Sequence, residues 1–401
     1  MKAVILAAGD GKRMWPLTSS RPKVMLPLVN LPIMEHLILQ VVSAGIREFI
    51  LVLGHRGEVI REYFGDGRRW GIQIDYVSQE KQMGTADALR MAEGKLPERF
   101  LVLNGDIIVF SCNIKKLVNS QGLAIAGILL DDVSGLGVLE LDNTRVIRIH
   151  EKKELPPSHM VNAGLYYLDR SIFKAISSTT ISSRDEYELT DSLQTLIDDG
   201  CYLSLVEIDQ WLDVAYPWSL LAANELLCKR LVPYNAGQIE EHAVVKGPVS
   251  VGKGTIIRSG SYITGPVAIG MNCEIGPNCY IRPYTSIGDG CHIGAAVEVK
   301  NSIFMSNTHL PHHNYVGDSI IGKGCNLGAG TKIANLRFDK GNIKIGGIQT
   351  GRRKLGAIIG DGVQTGINAS INPGSVIGDN AFIGPNSLAI GIIPPGSRII
   401  N

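Results

Sequence analysis

Nine β-branched aliphatic residues recur at an interval of six in the C-terminal half: Val251, Ile257, Ile263, Ile269, Ile275, Ile281, Ile287, Ile293 and Val299. A helix repeats about every 3.6 residues and a strand about every 2, so neither keeps such a series on one face. A coil with three short strands does, because one aliphatic residue per side points inward and successive coils stack. The period predicts a parallel β-helix of hexapeptide repeats. Shorter series follow at Ile321, Leu327 and Ile333, then at Ile359, Ile371, Ile377 and Ile383, with Thr365 filling the register. Glycine agrees: 29 of the 46 glycines fall in residues 231–401, where small residues suit tight corners. They show no Gly-X-Y period, which excludes collagen.

The break between Val299 and Ile321 predicts a loop leaving the coil, and such loops often carry function. It holds His309-Leu310-Pro311-His312-His313-Asn314-Tyr315. Three histidines raise a metal site, but their spacing shows no clear ligand geometry, and a solvated loop is the alternative.

Residues 1–230 read differently. Apolar runs at 2–8, 48–53, 72–77 and 100–103 alternate with helical patterns at 33–44, 58–64 and 86–93. This alternation predicts a mostly parallel, Rossmann-like α/β sheet with helices on both faces, and ligands beyond the carboxyl ends of its strands. A helical stretch from Pro217-Trp218 to Leu231 connects the halves. The expected domains are 1–232 and 233–401.

The net charge of +1 supplies no field for nucleic acid or an acidic membrane. No run of 18 apolar residues appears, and the N-terminal run 3–8 is too short for a signal peptide. Seven scattered cysteines without a CxxC pair suggest neither zinc nor a disulfide framework. A soluble cytoplasmic protein is expected.

The first strand runs into Gly9-Asp10-Gly11-Lys12-Arg13, a turn whose N–H groups can approach phosphate oxygens. It is neither the dinucleotide fingerprint nor a Walker loop. Its continuation, Pro16-Leu17-Thr18 and Arg21-Pro22-Lys23-Val24-Met25-Leu26-Pro27, resembles the signature of sugar-1-phosphate nucleotidyltransferases. The resemblance implies that Ala8, Gly9, Gly11 and Arg13 hold a nucleoside triphosphate, that Gln79, Gly84 and Thr85 recognise its base, and that Lys23 offsets phosphate charge. Asp106, after Leu103-Asn104-Gly105, and Asp213, in Trp211-Leu212-Asp213-Val214, resemble Mg²⁺ ligands. Gly137, Glu151, Lys152 and Asn162 resemble sugar-binding positions. Leu136 stands where an aromatic is usual and Ala215 where a glycine is common.

In the second half, Arg282, Glu298-Val299-Lys300, His312 to Asp318, Gly328-Ala329-Gly330-Thr331 and Asn335 follow the order seen in amino-sugar-1-phosphate N-acetyltransferases. The whole chain resembles the archaeal type of bifunctional sugar-1-phosphate nucleotidylyltransferase/acetyltransferase. This implies a left-handed β-helix, a homotrimer and acetyl-CoA as co-substrate. His312 would be the base, Asn335 would orient the amine or stabilise the tetrahedral intermediate, and Arg282, Lys300 and Tyr315 would hold the sugar phosphate. Ala329 and Gly366 would accept the pantetheine arm between subunits. His313 stands beside His312 and leaves the choice of base open. Lys340, Lys344 and the Arg352-Arg353-Lys354 run have no fixed role.

The leading expectation is an enzyme that acetylates glucosamine 1-phosphate and transfers a nucleotidyl group from UTP or dTTP to a sugar 1-phosphate, releasing pyrophosphate. The alternatives are a monofunctional nucleotidyltransferase for glucose or mannose 1-phosphate with a non-catalytic, oligomerising prism, and a scaffold with a degenerate first domain.

Overall fold

The computed structural model describes residues 1–151 and 157–400. By contacts these divide into two compact units: Met1–Asp10, Arg21–Met25 and Ile33–Asp213 in one, and Gly11–Ser20, Leu26–Pro32 and Val214–Asn401 in the other.

The first unit is built on a nine-stranded sheet. Its parallel part runs through Gln73–Ser78, Glu48–Leu53, Lys2–Ala7 and Arg99–Asn104, in that spatial order. The strand Met160–Asp169 pairs antiparallel to Arg99–Asn104 and to Leu123–Leu129, so the parallel character expected from sequence is concentrated in the N-terminal portion. Leu123–Leu129 and Leu203–Glu207 form one further parallel pair. The central strand Lys2–Ala7 is buried on both faces, which explains its unbroken apolar run. Alternate residues feed two cores: Ala3, Ile5 and Ala7 pack with helix Ile33–Ser43, while Val4 and Leu6 pack with helices Ser171–Ser178 and Leu189–Asp198.

The second unit is a left-handed parallel β-helix of three sheets, with nine, nine and eight strands. The expected inward series is buried throughout, from Val251 to Val299 and on to Ile383. Thr365 also points in; its hydroxyl meets that of Thr331 at 2.6 Å and accepts the N–H of Gly328 at 2.9 Å. Corners use left-handed glycines such as Gly254, but asparagines such as Asn272 and Asn278 also fill them. Short polar side chains tolerate that conformation by bonding locally.

The loop expected between Val299 and Ile321 does not exist. The chain stays on the coil through Ile303–Phe304, His309–His312 and Tyr315–Gly317, each hydrogen-bonded into its sheet. Two sides are five residues long instead of six, Val299 to Phe304 and Val316 to Ile321, and this moved the aliphatic series out of phase. Neighbouring strands there pair 17 residues apart, as in Ile287↔Phe304, instead of 18, as in Ile269↔Ile287. The chain leaves the coil later, between Ile333 and Ala357. It forms an antiparallel hairpin of Lys344–Ile345 with Ile348–Gln349, and Ile320 then pairs with Ile358. Lys340, Lys344 and the Arg352-Arg353-Lys354 run all lie on this excursion.

Helix Ser219–Cys228 belongs to the second unit, as does the hairpin Pro27–Leu28 with Leu31–Pro32. The hairpin turn puts Val29 and Asn30 at φ 47° and 65°. A β-branched residue resists that region, so something must hold it. Asn224, fully buried in the helix, accepts the Val29 N–H at 3.0 Å and the Ser286 hydroxyl at 2.7 Å, and donates to the Tyr284 carbonyl at 2.9 Å. Asn30 Nδ2 donates to the Ile287 carbonyl at 2.9 Å.

Among the described residues no helix is long and apolar enough to cross a membrane. Asn224→Ala strands the Val29 donor and the Tyr284 acceptor, and should lower unfolding stability by about 3 kcal/mol. A denaturant midpoint shift with unchanged slope measures it.

Candidate functional site

In the first unit the expected residues gather beyond the carboxyl ends of the parallel strands. Ala8 follows Lys2–Ala7, Gln79 follows Gln73–Ser78, and Asp106 follows Arg99–Asn104. Gln79 is buried, and its amide nitrogen is fully committed, donating to the Gly84 carbonyl at 3.1 Å and to Asp87 at 2.8 Å. Both of those bonds use the amide nitrogen and none the amide oxygen. Gly84 has φ 100°, and a Cβ there would stand 2.5 Å from the Tyr187 carbonyl oxygen, so only glycine fits. The Thr85 hydroxyl accepts the N–H of Leu189 at 2.9 Å, which ties this segment to helix Leu189–Asp198.

Lys23 Nζ lies 2.6 Å from Asp106 Oδ2. The strand Trp211–Asp213 pairs antiparallel with Ile107–Val109, and Asp213 faces Ile107, so the two aspartates occupy neighbouring positions. Two carboxylates leave the rest of an octahedral shell for phosphate oxygens and water, which suits Mg²⁺. Among the described residues no group of three or more His, Cys, Asp or Glu forms a metal cage by itself.

Gly137, Glu151 and Asn162, the residues expected at a sugar, converge. A Cβ on Gly137 would meet Glu151 Oε1 at 3.3 Å, and the Asn162 N–H donates to the Gly137 carbonyl at 2.9 Å. Asn162 Nδ2 donates to the Tyr166 hydroxyl at 3.0 Å. Lys152 lies outside the described residues.

In the second unit, Gly11 takes φ 66° and its carbonyl accepts the Met14 N–H and the Thr18 hydroxyl, which accounts for glycine there. Gly9 carries no such constraint; the space a Cβ would take is open. The Arg13 guanidinium lies 5.6 Å from the Tyr216 ring centre, and Tyr216 stacks on Trp218.

On the β-helix, Asp318 is the hub. It is buried at 3% exposure and accepts from Lys300 at 3.2 Å, Asn301 at 2.7 Å and Asn335 at 2.5 Å. The Tyr315 hydroxyl and the Asn335 amide both lie over Gly317, where a Cβ would come within 2.8 and 2.6 Å of them. Burial and the carboxylates of Glu298 and Asp318 push the Tyr315 phenol upward, so it remains a donor. Arg282 pairs with Glu298 at 2.9 Å. Arg352, from the excursion, feels the charge of Asp318; burial lowers its pKa, and its Nε is buried without a partner.

His312 and His313 stand exposed at the corner before Tyr315. His313 takes φ 53°, its N–H donates to the Ala295 carbonyl, and its own carbonyl accepts from Lys332. It fills a corner position that asparagine occupies elsewhere. His312 ends a strand, and its carbonyl accepts the Gly330 N–H at 3.0 Å. Ala329 is tied to the next coil by the Asn368 N–H at 2.8 Å, and Gly366 packs under Gly328. His312, Ala329 and Gly366 thus share one corner, while Lys300, Asp318 and Asn335 share the far edge of the adjoining sheet.

Asp318 and Glu298 carry no role of their own in the sequence motifs that contain them; the signal for Asp318 is spacing, with Lys300 and Asn335 one coil either side of it. Arg184, which pairs with Glu151 at 3.3 Å, lies outside those motifs.

The nucleotidyl transferase family model matches residues 2–230. The chain belongs to the nucleotidyl transferase family. A hexapeptide model of bacterial transferases matches residues 356–388 of this family member, and a "GMPPB C-terminal domain" model matches 263–368. A relative named "Bifunctional protein GlmU" from Methanococcus maripaludis is 43% identical over 97% of this chain and 94% of its own length. A "Bifunctional sugar-1-phosphate nucleotidylyltransferase/acetyltransferase" from Sulfurisphaera tokodaii is 40% identical over 97% of both. Among solved structures, a putative glucose-1-phosphate thymidylyltransferase from Bacillus anthracis is 29% identical with a TM-score of 0.53, covering 59% of this chain and 97% of its own.

Asp318→Ala would leave Lys300, Asn301 and Asn335 without their shared acceptor. It should cost about 3 kcal/mol of stability, read by equilibrium denaturation.

Proposed function

We propose that the chain acetylates an amino-sugar 1-phosphate, glucosamine 1-phosphate, with acetyl-CoA, and transfers a nucleotidyl group to the acetylated product to give UDP-N-acetylglucosamine and pyrophosphate. In sequence the two modules are taken as 1–232 and 233–401, since the family match ends at 230, although by contacts the stretch from Val214 goes with the second unit. The observation that carries the second activity is the Asp318 hub beside Tyr315, with His312 exposed across the same sheet. An oligomerising prism has no use for a buried carboxylate that holds a lysine and an amide at a surface.

In acetyl transfer, the amine nitrogen attacks the thioester carbonyl, the carbon–sulfur bond breaks and the CoA thiolate leaves. His312 accepts the amine proton, since an imidazole titrates near neutrality. Asn335, fixed by Asp318, orients the amine. Arg282, Lys300 and Tyr315 hold the sugar phosphate, and Ala329 and Gly366 give the pantetheine arm a flat path. Exposed Ile367, Leu388, Ile390 and Ile392 on the last coils suit burial against further copies in a homotrimer.

In nucleotidyl transfer, a sugar phosphate oxygen attacks the α-phosphorus and pyrophosphate leaves. Reactants and leaving group are anionic, so positioning and charge neutralisation set the rate. Ala8, Gly9, Gly11 and Arg13 bind the triphosphate. The Gln79 amide oxygen accepts the imide N–H of uracil, beside Gly84. Lys23 offsets phosphate charge. Gly137, Glu151, Lys152 and Asn162 bind the sugar. Asp106 and Asp213 would hold Mg²⁺, which when bound neutralises charge between the two phosphates. Seven cysteines, none in a disulfide, fit a cytoplasmic enzyme.

Two variants separate the activities. His312→Ala should reduce acetyl transfer to glucosamine 1-phosphate by about 100-fold or more and leave pyrophosphate release intact. Asp213→Asn should do the opposite. A matrix of nucleoside triphosphates against sugar 1-phosphates, read by pyrophosphate release, should peak at UTP with N-acetylglucosamine 1-phosphate. Unchanged acetylation in His312→Ala removes that histidine from the mechanism.

A further inference from the structure

The segment 182–189 touches both halves of the nucleotidyl-transfer site, and no role has been given to its charged residues. At one end its backbone clasps the base loop. The Tyr187 N–H donates to the Met83 carbonyl at 2.7 Å, the Ala86 N–H donates to the Tyr187 carbonyl at 2.9 Å, and the Leu189 N–H donates to the Thr85 hydroxyl at 2.9 Å. At the other end, Arg184 Nη2 lies 2.8 Å from Glu188 Oε1 and 3.3 Å from Glu151 Oε2. One guanidinium therefore joins a carboxylate on the sugar side to a carboxylate at the start of helix Leu189–Asp198.

Arg184 is itself held in a tight turn. Its N–H donates to the Ser182 hydroxyl at 3.2 Å, and the Ser182 N–H donates to the Glu186 carbonyl at 2.9 Å. Glu188 is nearly buried, with 8% of its side chain exposed, whereas Glu151 retains 28% and Arg184 38%. The buried carboxylate is thus the fixed post and the exposed one is the arm. A planar guanidinium can serve two carboxylates at once, which an ammonium does poorly.

We propose that Arg184 is a positioning residue for sugar binding, anchored on Glu188 and holding the Glu151 carboxylate beside Gly137. This rests on the reading of Glu151 as a sugar contact. The charged and titratable groups facing Glu188 are Arg184, Glu186, Glu151, Asp191 and the Tyr166 phenol. Burial, the largest influence, pushes Glu188 up to about 7 despite the attraction of Arg184. As pH falls through that value Glu188 takes a proton, Arg184 loses half its anchor and Glu151 is held less firmly. Sugar binding should weaken toward acid while nucleotide binding does not follow.

The test is steady-state pyrophosphate release with UTP and N-acetylglucosamine 1-phosphate, from pH 6 to 8.5, on the full chain and four variants. Arg184→Met should raise the KM for the sugar phosphate about tenfold, with the KM for UTP and kcat within about threefold. Arg184→Lys should restore part of the loss. Glu188→Gln, which keeps the shape and removes the charge, should show at every pH the high sugar KM that the native enzyme shows at pH 6. Glu151→Gln serves as the control on the site itself. A raised sugar KM in Glu151→Gln with native values in Arg184→Met and Glu188→Gln overturns the positioning role and leaves the site reading standing. Native values in Glu151→Gln overturn both. Equal losses in the two KM values for Arg184→Met would mean a general structural defect and would also overturn the proposal.

Discussion

A β-helix coil cannot bury its inward residues alone; each coil needs the next one stacked on it in register. That constraint organises the second unit of this chain. It fixes residues about one coil apart in sequence as neighbours in space, and the putting together of side chains follows automatically. Lys300, Asn301 and Asn335 reach Asp318 because they lie one coil above or below it. Tyr315 lies beside Glu298 for the same reason. The polar site on this surface is therefore a by-product of the apolar ladder behind it. Small changes in coil length would scramble the site before they emptied the core.

The same constraint explains what could be read in advance. Nine inward positions at a six-residue interval are visible in the letters, because each must be aliphatic whatever its neighbours do. The two five-residue sides were not legible as such. They shift the phase by one residue, and Phe304, Leu310 and Val316 then fill the core outside the expected series. A phase break looks like an excursion when only the period is known. The real excursion, between Ile333 and Ala357, left no stronger mark in the sequence. Asp318 was similarly opaque: its role depends on knowing that coils there are 17 residues long on one side and that Lys300 is 18 residues away.

In the first unit legibility follows a different rule. Residues that must sit at strand ends, Ala8, Gln79 and Asp106, follow apolar runs and can be found. Gly84 could be found as a motif member, though the reason for it, a clash with the Tyr187 backbone, lies about a hundred residues away and needed coordinates. Thr85 could be found in the same way, but the Leu189 N–H that its hydroxyl accepts, also about a hundred residues on, could not.

Both units use a buried carboxylate to hold neighbouring polar groups in place. Such pairs seldom add much net stability, because desolvating the charges offsets most of their attraction. Their value is geometric. Asp318 gives Lys300 and Asn335 one arrangement out of many, and Glu188 does the same for Arg184. The difference lies in what surrounds the carboxylate. Asp318 receives three donors, which compensate its burial in the low-dielectric interior. Glu188 has Arg184 against three neighbouring carboxylates and the cost of burial, and its pKa rises to about 7. Burial thus raises the Glu188 carboxyl toward neutrality, while the Asp318 carboxylate sits among donors. Sensitivity to protons is therefore expected where Glu188 anchors Arg184.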